Sequence, residues 1–135
     1  MKALVFDTSA LLALLYDEPG AEAVEALIHR ASAKFQPMLM SAVNWAEVCY
    51  SVERKRGVEA LAQAKEFATN TPVLIVPADR ELSEIAASYR AADTLALADA
   101  FAAALAKSNK AELVTADREF KSVESEIKII WLKNP

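Results

Sequence analysis

The sequence has few of the residues from which many frameworks and sites are built. It has one cysteine, one histidine and two glycines. A single cysteine, Cys49, excludes an internal disulfide framework and a multi-cysteine zinc site. On an apolar-rich helical segment it reads as a small core residue. The lone histidine, His29, lies on an amphipathic segment with no identifiable serine partner and reads as a surface residue. So little glycine argues against long flexible linkers. No internal repeat, low-complexity tract or shift of composition marks a second domain. No run reaches the roughly 18 apolar residues of a membrane span. The opening "MKALVFDTSALLALLYDEP" is interrupted by Asp7, closed by Asp17-Glu18-Pro19, and followed by no small-x-small cleavage site. It therefore reads as a mature strand and helix of a cytoplasmic protein with no membrane partner.

What the sequence does contain is apolar surface, at 54% of 135 residues. That suits one globular domain over 1–135. Short apolar runs alternate with helical patterns. Strands are expected at 2–6, 37–41, 73–76, 112–116 and 127–132. Helices are expected at 10–18 behind a Ser9 cap, and at 21–31. Further helices follow at 44–56 behind a Ser41 cap and ended by Gly57, then at 58–68, 80–91 and 95–108. Strands that are apolar throughout are buried on both faces. The expected fold is thus a three-layer α/β/α architecture with a mostly parallel sheet of about five strands.

Such a sheet binds ligands at the C-terminal edge of its strands, near the point where strand order reverses. Four acidic residues fall at that edge. Asp7 follows the first strand and Asp117 the fourth. Glu47 lies in the first two turns of the helix after the second strand. Asp99 lies near the start of the helix that leads into the fourth, as the one charge within "LALADAFAAALA". Taken singly, each has a structural explanation: a carboxylate near a helix N-terminus is favoured by the macrodipole, and Asp7 or Asp117 could be a turn residue or cap. Gathered together, four carboxylates raise one another's pKa values. A hard divalent cation, Mg²⁺ or Mn²⁺, relieves that conflict with oxygen ligands alone. Such ions commonly serve phosphoryl chemistry.

The segments "VFDTSALLALL", "SAVNWAEV", "LALADAFAAALA" and "LVTADREF" resemble, in order and spacing, the four signature blocks of the PIN domain. The set is most similar to VapC-type ribonuclease toxins of prokaryotic toxin–antitoxin pairs. That resemblance implies an Mg²⁺- or Mn²⁺-dependent RNA endonuclease with acidic residues at Asp7, Glu47, Asp99 and Asp117. It implies supporting groups at Ser9, Asn44 and Thr115, and a VapB-like antitoxin as partner. Asp7, Asp99 and Asp117 would hold metal. Glu47 would bind a second ion or help deprotonate the attacking water, and one or two ions remain alternatives. One departure is visible. The family often carries Ser or Thr three residues before the third acid, where this chain has Ala96; Asp93 or Thr94 could cap the helix instead.

The formal charge of −4 runs against an RNA partner. Setting the four acids aside leaves 15 of 19 acids against 15 Lys and Arg, so the remainder is neutral. RNA grip would come from local cations, with "ERKR" (53–56), Arg90, Lys107 and Arg118 as candidates. Cations at 54–56 would also be favoured simply by a helix C-terminus. Trp45 and Tyr50 could stack on bases, but as apolar-face residues they fit a core or an interface. Segments 10–31 and 44–68 could supply a homodimer face or an antitoxin groove. Two rival classes stand beside the nuclease. A receiver-type phosphoacceptor would need an acidic pair after the first strand, and Thr8 follows Asp7; only Asp79 favours it. A catalytically silent PIN-like binding module would not need all four acids.

Overall fold

A computed structural model of the chain describes residues 2–92 and 95–133. The elements run β1 (Leu4–Phe6), α1 (Thr8–Leu15), α2 (Ala21–Ala33), β2 (Met38–Ser41), α3 (Ala42–Arg56), α4 (Val58–Asn70) and β3 (Leu74–Val76). They continue with α5 (Arg80–Ala92), α6 (Leu97–Asn109), β4 (Glu112–Thr115), a 3-10 turn (Arg118–Val123) and β5 (Ile129–Trp131). The five strands form one parallel sheet in the order β3-β2-β1-β4-β5. The chain moves outward from β1 to β3, then crosses back to lay β4 on the other side of β1. The strand order therefore reverses between β1 and β4, and their C-terminal ends flank a crevice.

The apolar strand runs are explained by burial on both faces. Val5, Leu113 and Ile129 point to one side, where they pack with α5, α6 and Phe120 of the 3-10 turn. Leu4, Phe6, Met38, Met40 and Val114 point to the other, against α1, α2, α3 and α4. In α6 the run Ala100–Ala106 is buried throughout. Its alanines let the helix lie close against the sheet. Among the described residues no helix is long and apolar enough to cross a membrane.

Several boundaries differ from the sequence reading. The first helix starts at Thr8 and is capped by Asp7, whose side chain accepts from Ala10 N. Ser9 is therefore inside the helix rather than its cap, because its hydroxyl is drawn to Asp7 and to the chain after β4. Ser41 does cap α3, accepting from Asn44 N, and the helix begins at once with Ala42. The sixth helix begins at Leu97, after an extended Ala96 with no side-chain cap. Leu95 lies outside the helix with its side chain completely buried. The alternative caps Asp93 and Thr94 lie outside the described residues. Gly57, at φ 90°, makes the turn between α3 and α4 in a conformation that other residues resist.

The 3-10 turn positions Asp117 and Glu119 by burying the ring of Phe120 completely. Phe120→Ala should lower the unfolding free energy by about 3–5 kcal/mol, as for other buried Phe truncations. Urea denaturation measures this; a loss below about 1 kcal/mol would show that the turn is not anchored by that ring.

Candidate active site

Asp7 is the innermost group of the crevice. It is 1% exposed, and its carboxylate is held by three donors. Ser9 Oγ donates to both oxygens at 2.8 and 3.0 Å, Ala10 N donates to one at 2.9 Å, and Thr115 Oγ1 donates to the other at 2.5 Å. Ser9 Oγ also accepts from Ala116 N at 2.9 Å, and Thr115 Oγ1 accepts from Asp117 N at 2.9 Å. The ends of β1 and β4 are thus joined through side chains. Burial pushes the Asp7 pKa up to about 6, against the opposing pull of its hydrogen bonds, with the Asp117 charge adding to the rise.

An open cleft of about 380 Å³ lies over this knot, bordered by Asp7, Glu47, Asp99, Asp117 and Glu119. One oxygen from each of Asp99, Asp117 and Glu119 lies within 4.8 Å of the others. Opposite ligands on an octahedral Mg²⁺ are about 4 Å apart, so these carboxylates are spaced for a hard cation after small side-chain movements. The Asp99 pKa rises to about 8. Its causes are partial burial first, then a hydrogen bond shared with Asp117 and the charges of Asp117, Asp7 and Glu47. Glu47 lines the cleft with its carboxylate accepting from Tyr50 Oη at 3.4 Å.

Asn44 sits behind the cleft, fully buried. Its Nδ2 donates to Thr8 Oγ1 at 3.1 Å and to Ala98 O at 3.2 Å, while Oδ1 accepts from Ser41 Oγ at 2.5 Å. One amide so ties the starts of α1, α3 and α6, which carry Asp7, Glu47 and Asp99. Asp117 also caps the 3-10 turn, accepting from Glu119 N at 3.0 Å. A capping carboxylate still presents its other oxygen to the cleft, so the structural and chemical readings of Asp117 coexist.

Sequence reading did not single out Glu119. Its signal was the two-residue spacing in "DRE" after β4, which a tight turn folds back to one side. Other expectations need correction. Lys107 lies about 12 Å along the α6 axis from Asp99 and faces Glu126 at 3.8 Å, so it does not border the cleft. Arg118 is occupied, with its guanidinium donating to Leu132 O at 2.9 Å and stacking on Trp131. Tyr50 is 49% exposed rather than core, with Arg54 over its ring, whereas Trp45 packs at the margin of the core. Cys49 is half-buried rather than fully in the core, whereas His29 is exposed, as expected of a surface residue. Asp79, which would favour a receiver, is exposed and caps the start of α5 by accepting from Leu82 N.

The fold and cleft define a parallel α/β protein with converging carboxylates beside its strand-order reversal. The model of the PIN domain matches residues 4–126, and the chain belongs to the PIN domain family. Solved structures of similar fold include VapBC2 from Rickettsia felis bound to a DNA fragment of its promoter. That match is 15% identical, covers 97% of this chain and 99% of that one, and has a TM-score of 0.79. DNA-bound VapBC from Salmonella typhimurium is 22% identical over 96% and 98% of the two chains, with a TM-score of 0.77. VapC20 of Mycobacterium tuberculosis, a sarcin–ricin-loop-cleaving toxin, is 19% identical over 90% and 95%, with a TM-score of 0.71. No curated protein matches in sequence.

The raised pKa values have a consequence for the metal-free fold. The folded chain holds protons on Asp7 and Asp99 that an unfolded chain releases near 3.8. The associated stability is complete below about pH 4 and is lost as pH rises through about 6 for Asp7 and about 8 for Asp99. In chelator, Asp99→Asn should show a shallower fall in melting temperature between those two values and be at least as stable as the parent at the upper one. Parallel melting curves against pH would mean that Asp99 carries no such charge conflict.

Proposed function

We propose that this protein is an Mg²⁺- or Mn²⁺-dependent endoribonuclease and the toxin of a toxin–antitoxin pair. The observation that supports it most is the convergence of acidic side chains from four separated segments on one cleft. Those carboxylates are costly together without a cation. Asp7, Asp99 and Asp117 would hold the ion, and Glu119 is a further ligand candidate. When bound, the ion supplies positive charge to the phosphoryl oxygens and lowers the pKa of a water.

The chain's own residues do the rest. Ser9, Thr115 and Ala10 N fix the rotamer of Asp7, so that its carboxylate is oriented before any substrate arrives. Asn44 keeps three helix starts in register. Glu47, which lines the cleft, takes the proton from the attacking water as a bond forms from that water to phosphorus. The P–O bond to the leaving nucleotide breaks as the in-line displacement completes. Purified protein should cut single-stranded or loop RNA with Mg²⁺ or Mn²⁺ and lose that activity in chelator. Cleavage that persists in excess EDTA while tracking the protein through purification would refute the metal mechanism. Asp99→Asn should lower cleavage by orders of magnitude. It should also shrink the melting-temperature rise that Mn²⁺ gives the parent, since stabilisation by a ligand of the folded state follows its dissociation constant.

The partner in this reading is a VapB-like antitoxin, as in the VapBC complexes of similar fold. An arginine from it would pair with carboxylates that otherwise hold metal. Its remaining grip would be apolar contact with α1 to α4, which also offer a homodimer face. Expression from the native locus should co-purify a small protein partner in a stable complex without RNase activity. Failure to recover a complex, together with harmless expression of this chain alone, would count against the toxin assignment.

A further inference from the structure

The acidic cleft does not end at Asp117. A second hollow of about 300 Å³ opens beside it, and the two share Ser9, Leu12 and Asp117 as a common border. Its far side is formed by Tyr16, Lys55 and Lys133. The charge balance shifts along this path. Among the described residues the first hollow has five acidic residues on its border and no Lys or Arg, whereas Lys55 and Lys133 line the second together with Glu18 and Asp117.

These cations are organised. Lys55 Nζ lies 5.2 Å from the centre of the Tyr16 ring, and Arg56 Cζ lies 4.1 Å from it. Stacking on an aromatic face limits the freedom of both long side chains while leaving their charge unneutralised. Neither they nor Lys133 form a salt bridge among the described residues. Cations poised next to a carboxylate cleft suit a polyanion whose reacting phosphate sits among the acids and whose neighbouring phosphates need positive partners.

We infer that the RNA strand runs from the cleft along α1 into this second hollow. There Lys55 and Lys133 hold the backbone phosphates flanking the cut, and Tyr16 positions Lys55 and Arg56. The inference rests on the proposed ribonuclease activity and adds a direction to it. The Tyr16 hydroxyl is buried without a hydrogen-bond partner, so Tyr16→Phe keeps the stacking face and removes only an unpartnered group.

The test measures steady-state cleavage and salt-dependent binding of a 12-nucleotide single-stranded RNA, the latter by fluorescence anisotropy in chelator. Lys55→Gln combined with Lys133→Gln should raise KM about tenfold with kcat within about twofold, the pattern expected when ground-state binding is weakened. The slope of log K against log salt should fall by about 1.4, or about 0.7 for each phosphate that a single strand no longer has neutralised. Tyr16→Leu should raise KM severalfold, while Tyr16→Phe and Lys107→Gln should match the parent. Unchanged KM and salt slope in the double lysine variant, with the parent active, would overturn the path and leave the ribonuclease reading intact. Loss of antitoxin affinity alone would assign the hollow to protein docking and overturn it as well. A parent that binds RNA with the lysine-dependent slope but never cleaves it would sustain the path and sink the nuclease activity. A parent that neither binds nor cleaves RNA would sink both.

Discussion

Everything at the functional edge depends on one buried carboxylate. Asp7 ends β1, caps α1 and receives the hydroxyl of Thr115 from β4. A charged or partly charged group so deeply buried is tolerable only because donors surround it. The donors come from two pieces of the crevice, Ser9 Oγ and Ala10 N from α1 and Thr115 Oγ1 from β4. Ser9 lies in the helix, Thr115 ends the strand across the reversal, and the Ser9 hydroxyl also receives Ala116 N. The backbone ladder sets the spacing of β1 and β4, and the bonds that satisfy Asp7 tie the start of α1 to the chain that leaves β4.

Around that centre the fold accumulates a charge conflict. Asp99 projects from the first turn of a helix whose next seven residues are buried, and Asp117 and Glu119 approach it from a turn anchored by Phe120. Among the described residues no Lys or Arg borders the acidic cleft, and Arg118 is turned away to Leu132 and Trp131. The result is a site that favours either protons or a cation. Asn44 performs the mechanical counterpart by binding α1, α3 and α6 through one amide. The backbone segments that carry Asp7, Glu47 and Asp99 are thereby held together, and only their side chains are left to adjust.

The electrostatics also explain how an acidic chain can accept a polyanion. Net charge is −4, but its distribution matters more than its sum. Acids are concentrated where a cation would screen them, and the Tyr16–Lys55–Arg56 stack lies next door with Lys133. The aromatic ring holds positive charge close to the crevice without using a carboxylate as its partner. A salt bridge at the same place would have spent the charge locally.

Much of this was legible in the residues. Double-sided burial makes apolar strand runs, so the parallel α/β sheet followed from "KALVF", "VLIV" and "ELVTA". Asp7, Glu47, Asp99 and Asp117 could be assigned to one edge because connectivity in such sheets has a fixed hand. The resemblance to PIN domains holds over residues 4–126. Local chemistry misled where two hydroxyls or carboxylates competed for one cap. Ser9 looks like a cap in sequence, but Asp7 takes that role because the Ser9 hydroxyl satisfies Asp7 and Ala116 N, a partner 107 residues away. Glu119, the retreat of Arg118 and the stacking of Lys55 and Arg56 on Tyr16 were not legible either. Periodicity states which face of an element is apolar. It does not state which long charged side chain meets which partner, because that depends on separations across the fold that no local pattern encodes.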